Sequence, residues 1–155
     1  MRLIIIALIT AVIDQGTKVL IQQLMRQGES VAVLPPVFYL TYIQNPGAAF
    51  GLFAYKTEFF IVITVAILAA IFWGQRYLSG SSILMRVGLG LIAGGALGNL
   101  IDRVRIGKVI DFFDFRIWPV FNLADTAIVV GAGLVIWGLW HMENNGKDVD
   151  ADARR

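Results

Sequence analysis

Residues 83–101 read ILMRVGLGLIAGGALGNLI. Apart from Arg86 near the start and Asn99 near the end, the stretch is apolar, and it is dense in small residues: Gly88, Gly90, Gly94, Gly95, Ala96 and Gly98. In a water-soluble helix each interior glycine costs about 1 kcal/mol relative to alanine. Inside a bilayer the same residues let helix backbones approach closely, and the length suits the ~20 residues needed to cross the hydrocarbon core. The stretch therefore predicts a membrane-spanning helix packed hard against its neighbours.

Three more windows have this character, at about 3–24, 59–78 and 123–142. The last also holds glycines (Gly131, Gly133, Gly138), so it is expected to pack against the third. Trp73, Trp137 and Trp140 lie near segment ends, where indole rings favour the interface. The composition agrees: 57% of the 155 residues are hydrophobic and 15% charged, against about 45–50% and 25% in soluble domains. The expected fold class is mainly α and integral membrane, with four transmembrane helices. It forms one domain over 1–155 that ends in a charged, frayed tail, 143–155. Arg2 and the apolar run after it resemble a signal peptide, but no A-x-A site follows, so an uncleaved first helix is expected.

The composition also removes chemistries. Without cysteine there is no disulfide scaffold, thiolate metal site or Cys nucleophile, and the lone His141 leaves little for a His-built metal centre or a Ser-His-Asp triad. A metalloprotease H-E-x-x-H is absent. No cofactor is expected, and a net charge of +2 gives no reason to expect nucleic acid. Carboxylates remain.

Between the first two spans, Phe38–Ile43 suits a strand, followed by turn chemistry at Asn45-Pro46-Gly47. Between the last two, Val109–Ile117 reads as strand again. The two pieces are expected to form a small sheet at one end of the bundle.

A carboxylate at membrane depth costs a few kcal/mol. Of the 11 acidic residues, six fall in the tail or in connections and need no special account. The others are Asp14, Asp102, Asp111, Asp114 and Asp125. Alternating spans bring the ends of the first and third segments and the start of the fourth to one side, so these converge with Asn45, Asn99, Arg103 and Asn122. Plainer readings compete: Asp102 as an ion pair with Arg103, Asp114 as a surface charge, Asp14 as structural support, Asn122 as a helix cap. Asp111 and Asp125 have no basic residue beside them in sequence and sit among apolar ones, which favours a functional role. A proton or ion pathway lined by aspartates is the competing function; it predicts acids spread through the bilayer depth. Basic residues divide six and seven between the two sides, so charge does not orient the chain.

Five boxes carry a resemblance: DQGTK (14–18), QNPGAAFG (44–51), GGALGNLIDR (94–103), VIDFFDF (109–115) and FNLADTAI (121–128). In this order, on four spans, the chain resembles bacterial lipoprotein signal peptidases, also called prolipoprotein signal peptidase or signal peptidase II. The resemblance implies an intramembrane aspartyl endopeptidase that cuts the signal peptide before a diacylglyceryl-modified Cys. Its catalytic pair would be Asp111 and Asp125. Asn45, Asn99, Arg103 and Asn122 would surround the substrate, with Asp14 in support. It further implies a multi-pass protein of the bacterial inner membrane with both termini cytoplasmic and a small β-structure and active site at the periplasmic surface. The expected partners are prolipoprotein and membrane lipid, with the enzyme a monomer.

Overall fold

The structure, a computed structural model, describes residues 2–47, 56–77 and 82–152, with side chains up to His141. Residues 48–51 of the second box, Leu78 at the expected end of the second span, and 153–155 of the tail lie outside the described residues.

Four helices are long and apolar enough to cross a membrane. They are α1 (Arg2–Leu24), α2 (Thr57–Gly74, continued by a 3-10 turn, Gln75–Tyr77), α3 (Ile83–Ile106) and α4 (Leu123–Asp152). Large apolar side chains face outward on them, among them Val12, Val62, Val129 and Ile136 at 67–71% exposure, as expected where the solvent is lipid rather than water.

The helix α3 is the hub, packed on α1, α2 and α4. Its glycines divide between two faces. A Cβ at Gly88 would lie 2.6 Å from the Gly131 carbonyl oxygen, and one at Gly131 would lie 2.5 Å from that of Gly88. The α3 and α4 backbones thus touch, as expected for these two segments. On the other face, at a spacing of four, Gly90 and Gly94 lie against Ile6, Ala7 and Thr10 of α1, and Gly98 lies against the Asp14 carboxylate. Glycine at 98 is what admits a charged side chain between the helices.

Two helices outrun their expected ends. The third span continues past Ile101 for more than a turn and stops at Gly107, whose φ of 70° and N–H bond to the Arg103 carbonyl form a left-handed C-cap. The expected fraying at 143 is also corrected: the backbone stays helical to Asp152. No proline interrupts 143–152, and extending a formed helix is far easier than starting one.

At one end lies a three-stranded antiparallel sheet in the order β1 (Ser30–Leu34), β2 (Phe38–Asn45) and β3 (Val109–Asp114). The last two were expected; β1, which precedes β2 in the same connection, was not. Ile43 pairs with Asp111 and Asn45 with Val109, with a register shift between Leu40 and Ile43. Tyr42, Ile110 and Phe112 pack with Ile21, which seats the sheet on the end of α1. β3 stops at Asp114 rather than Ile117, because the Asp114 carboxylate accepts the Arg116 N–H at 2.8 Å and Arg116 turns to φ 65°. The chain then folds back. Phe121 exchanges backbone hydrogen bonds with Phe113, and its ring stacks on Phe115 at 5.9 Å. This return brings the start of α4 beside β3.

Candidate active site

Asn122 is the N-cap of α4. Its Oδ1 accepts the Asp125 N–H at 2.9 Å, and Asp125 Oδ2 accepts the Asn122 N–H at 3.3 Å, a reciprocal capping box. The remaining end of that amide faces the sheet, where Asn122 Nδ2 donates to Asp111 Oδ1 at 2.7 Å. One fully buried residue thereby holds the two carboxylates expected to act as a pair, Asp111 through its side-chain amide and Asp125 through its backbone N–H. Asn45, from the end of β2, donates to the other Asp111 oxygen at 3.0 Å, while its own Oδ1 accepts the Gly47 N–H. Asn99, from α3, donates to Asp125 Oδ1 at 2.8 Å. Each of the four carboxylate oxygens thus receives a donor.

Asp111 and Asp125 open onto a cavity of about 230 Å³, shared with Asn45, Asn99, Arg103, Trp118 and Phe121. The Arg103 guanidinium lies 4.8 Å from the Phe60 ring centre on α2 and within electrostatic reach of Asp125 and Asp111. Burial, reinforced by the negative charge of Asp125, pushes Asp111 up to about 7, against the pull of the Asn45 and Asn122 hydrogen bonds and the Lys18 charge. Next to this cavity runs an apolar groove of about 500 Å³ lined by Phe115, Ile117, Trp118, Phe121 and Val129. Asp125 borders both.

Behind the pair lies a second polar layer. Lys18, 1% exposed, bonds Asp14 Oδ2 at 2.9 Å, Asp102 Oδ2 at 2.8 Å and Asn99 Oδ1 at 2.8 Å. Asp14 also accepts the Ala124 N–H at 2.9 Å, so α1 caps the first turn of α4. Asp102 accepts the Ile110 N–H at 3.1 Å and the Gln15 amide at 3.0 Å, tying α3 to β3 and α1. Asp14 thus pairs with Lys18 and ties α1 to α4. The ion-pair reading of Asp102 holds with a different partner: Lys18, not Arg103, because successive helix residues point in different directions. Lys18 escaped the sequence reading as a site residue, although Asp14 and Lys18 at i, i+4 inside an apolar span form a visible signal.

The surface reading of Asp114 is corrected. It is 5% exposed and accepts hydrogen bonds from Thr41 Oγ1 at 2.6 Å and the Arg116 N–H. Burial alone would raise its pKa, but these bonds and the Arg116 charge outweigh it and hold the group below the usual carboxylate range. Asp114 latches β2 to the turn after β3 and is not among the residues lining the cavity.

The family model described as Signal peptidase (SPase) II matches residues 6–141. The chain belongs to the signal peptidase II family. A lipoprotein signal peptidase of Pelotomaculum thermopropionicum is 57% identical over 139 residues, covering 90% of this chain and 91% of the relative. One from Moorella thermoacetica is 50% identical over 139 residues, covering 90% and 93%. A solved bacterial membrane enzyme superposes with a TM-score of 0.83 at 37% identity, covering 92% of this chain and 90% of that one. This member of the signal peptidase II family is thus a multi-pass membrane peptidase. The competing ion pathway is not favoured, because the family model and the relatives are peptidases.

Proposed function

We propose that this chain is an intramembrane aspartic endopeptidase that removes the signal peptide from diacylglyceryl-modified prolipoproteins, cutting before the lipidated Cys. The observation that carries the reading is Asn122, whose amide and backbone N–H hold Asp111 and Asp125 on one cavity. Two carboxyls sharing one proton supply both a base and an acid. Burial and the neighbouring charge of Asp125 raise Asp111 to about 7, and in this reading Asp111 holds the shared proton. Asp125 takes a proton from water as the oxygen attacks the scissile carbonyl carbon, and Asp111 gives its proton to the carbonyl oxygen. Asp125 then passes its proton to the amide nitrogen as the C–N bond breaks, and the collapsing diol returns one to Asp111. Arg103 and Asn45 bind substrate backbone at the cavity edge, where hydrogen bonds gain strength away from bulk water.

The apolar groove supports a lipid-bearing substrate. A residue immediately after the scissile bond lies beside Asp125, and the groove that starts there offers an acyl chain an apolar bed. An even number of spans puts both termini on one side. In this reading they are cytoplasmic, and the sheet and site stand at the periplasmic surface of the inner membrane. In this reading the enzyme is a monomer.

The test is cleavage of a diacylglyceryl-modified prolipoprotein by purified protein in detergent. Asp111→Asn and Asp125→Asn each lower kcat by more than about 1,000-fold, the scale of losing an essential acid or base, with the thermal transition retained. Asp152→Asn and EDTA leave the rate unchanged. Full activity in either dyad variant, or cleavage indifferent to the lipid, overturns the proposal.

A further inference from the structure

Lys18 is a fully buried cation that the reaction above does not use. It is surrounded by Asp14 on its own helix, by Asp102 and Asn99 on α3, and more remotely by Asp111 on β3. An ammonium has three N–H donors and no acceptor, and here each donor has one partner: Asp14, Asp102 and Asn99. One carboxylate would suffice to neutralise the charge, and Lys18 already has two. The third bond goes to an uncharged amide oxygen that belongs to the active site.

That bond fixes a direction. The Asn99 amide has a donor end and an acceptor end of nearly equal size. Its oxygen receives Lys18 Nζ at 2.8 Å and Asn122 Nδ2 at 3.1 Å, and its NH2 therefore points at Asp125. Turned over, the NH2 would face an ammonium and a second NH2, and the oxygen would face a carboxylate. Asn122 cannot turn over either, because its oxygen is held by the Asp125 backbone N–H. The polarity of the layer is thus anchored at two groups that act only as donors: a backbone N–H on one side and the Lys18 amino group on the other.

We infer that Lys18 is a positioning residue for proteolysis: held by Asp14 and Asp102, it orients the Asn99 amide so that Asn99 always donates to Asp125. The consequence is a division of labour within the dyad. Asp125 then always meets an N–H donor from Asn99, as a proton-accepting carboxylate requires. Without Lys18 the Asn99 oxygen keeps only the 3.1 Å bond from Asn122 Nδ2, so the amide turns over in part of the population and presents its oxygen to Asp125.

The inference rests on the peptidase reading, so the assay starts from a wild-type chain that cleaves diacylglyceryl-prolipoprotein and an Asp111→Asn chain that does not. Failure at that stage removes the reading of the site itself, and the Lys18 question is then decided only on an active wild type. Removing Lys18 alone strands two buried carboxylates, so Asp14→Asn/Lys18→Met is compared with Asp14→Asn, which changes the cluster without baring Asn99. The expected loss of kcat between these two is about 10- to 100-fold, the usual scale for removing a group that orients a functional one. The lower limb of the pH–kcat profile moves up by about one unit, with KM nearly constant. Adding Lys18→Met to an Asp14→Asn/Asn99→Ala chain has no further effect on kcat or on the profile, because the group through which Lys18 works is already gone. A Lys18 that merely holds α1 to α3 would lower the melting temperature, leave the profile in place, and cost the same factor with or without Asn99. That outcome overturns the inference, as does wild-type kcat in the double variant.

Discussion

At the scale of single residues, the acids of this chain separate by what surrounds them, not by their type. Asp102 and Asp14 are both ion-paired with Lys18, and Asp114 is satisfied by Thr41 and the Arg116 turn. Asp111 has only neutral hydrogen-bond donors and a second acid nearby, and burial raises it to about 7. As the proton-holding member, Asp111 must be protonated for turnover, so kcat is expected to fall as pH rises through about 7. A pH–rate profile with substrate saturating checks this; a rate still rising at pH 9 would put the acid elsewhere. The sign for stability follows. The folded chain keeps on Asp111 a proton that the unfolded chain releases near 3.8, so this group's contribution to stability declines as pH climbs from 3.8 to about 7.

At the scale of elements, placement depends on how closely α3 approaches α1 and α4. The acids of the pair lie 14 positions apart in sequence, and the gap is closed by the Phe113–Phe121 return and the Asn122 cap. A wider α3–α4 spacing would draw Asn99 away from Asp125. Gly88→Ala places a methyl 2.6 Å from the Gly131 carbonyl oxygen, and it is expected to cost about 1–3 kcal/mol, as overpacking does, together with part of the activity. Gly133→Ala meets nothing within 4 Å and should change stability by less than about 0.5 kcal/mol. Thermal unfolding in detergent beside cleavage rates separates the two; equal effects would mean that the contact does not govern the spacing.

At the scale of the whole molecule, the polar cavity and the apolar groove meet at Asp125, Trp118 and Phe121, where the helices end and the sheet begins. A lipidated substrate has the same two-part character. Val129 is on the groove wall, one helical turn beyond Asp125, and 71% exposed. Val129→Trp is expected to raise KM about tenfold for a substrate with long acyl chains, the loss of roughly 1.4 kcal/mol of apolar contact, and to spare one with short chains. Kinetics on matched substrates of different chain length test this. An effect independent of chain length would assign the groove to the peptide instead.

Much of this was legible in the chain itself. Four apolar stretches of spanning length, glycines that demand close helix contact, and acids too costly to bury idly follow from composition and order, because transfer into lipid penalises each residue by its own chemistry. The alternation of spans was enough to send Asp111, Asp125, Asn99 and Asn122 to one end. Partnership was not legible. That Asp102 meets Lys18 instead of the adjacent Arg103, that Asp114 turns inward, and that the Asn122 amide reaches Asp111 all depend on side-chain directions across elements distant in sequence. Hydrogen bonds and ion pairs are short-ranged and angular, so only the packed backbone decides which groups meet.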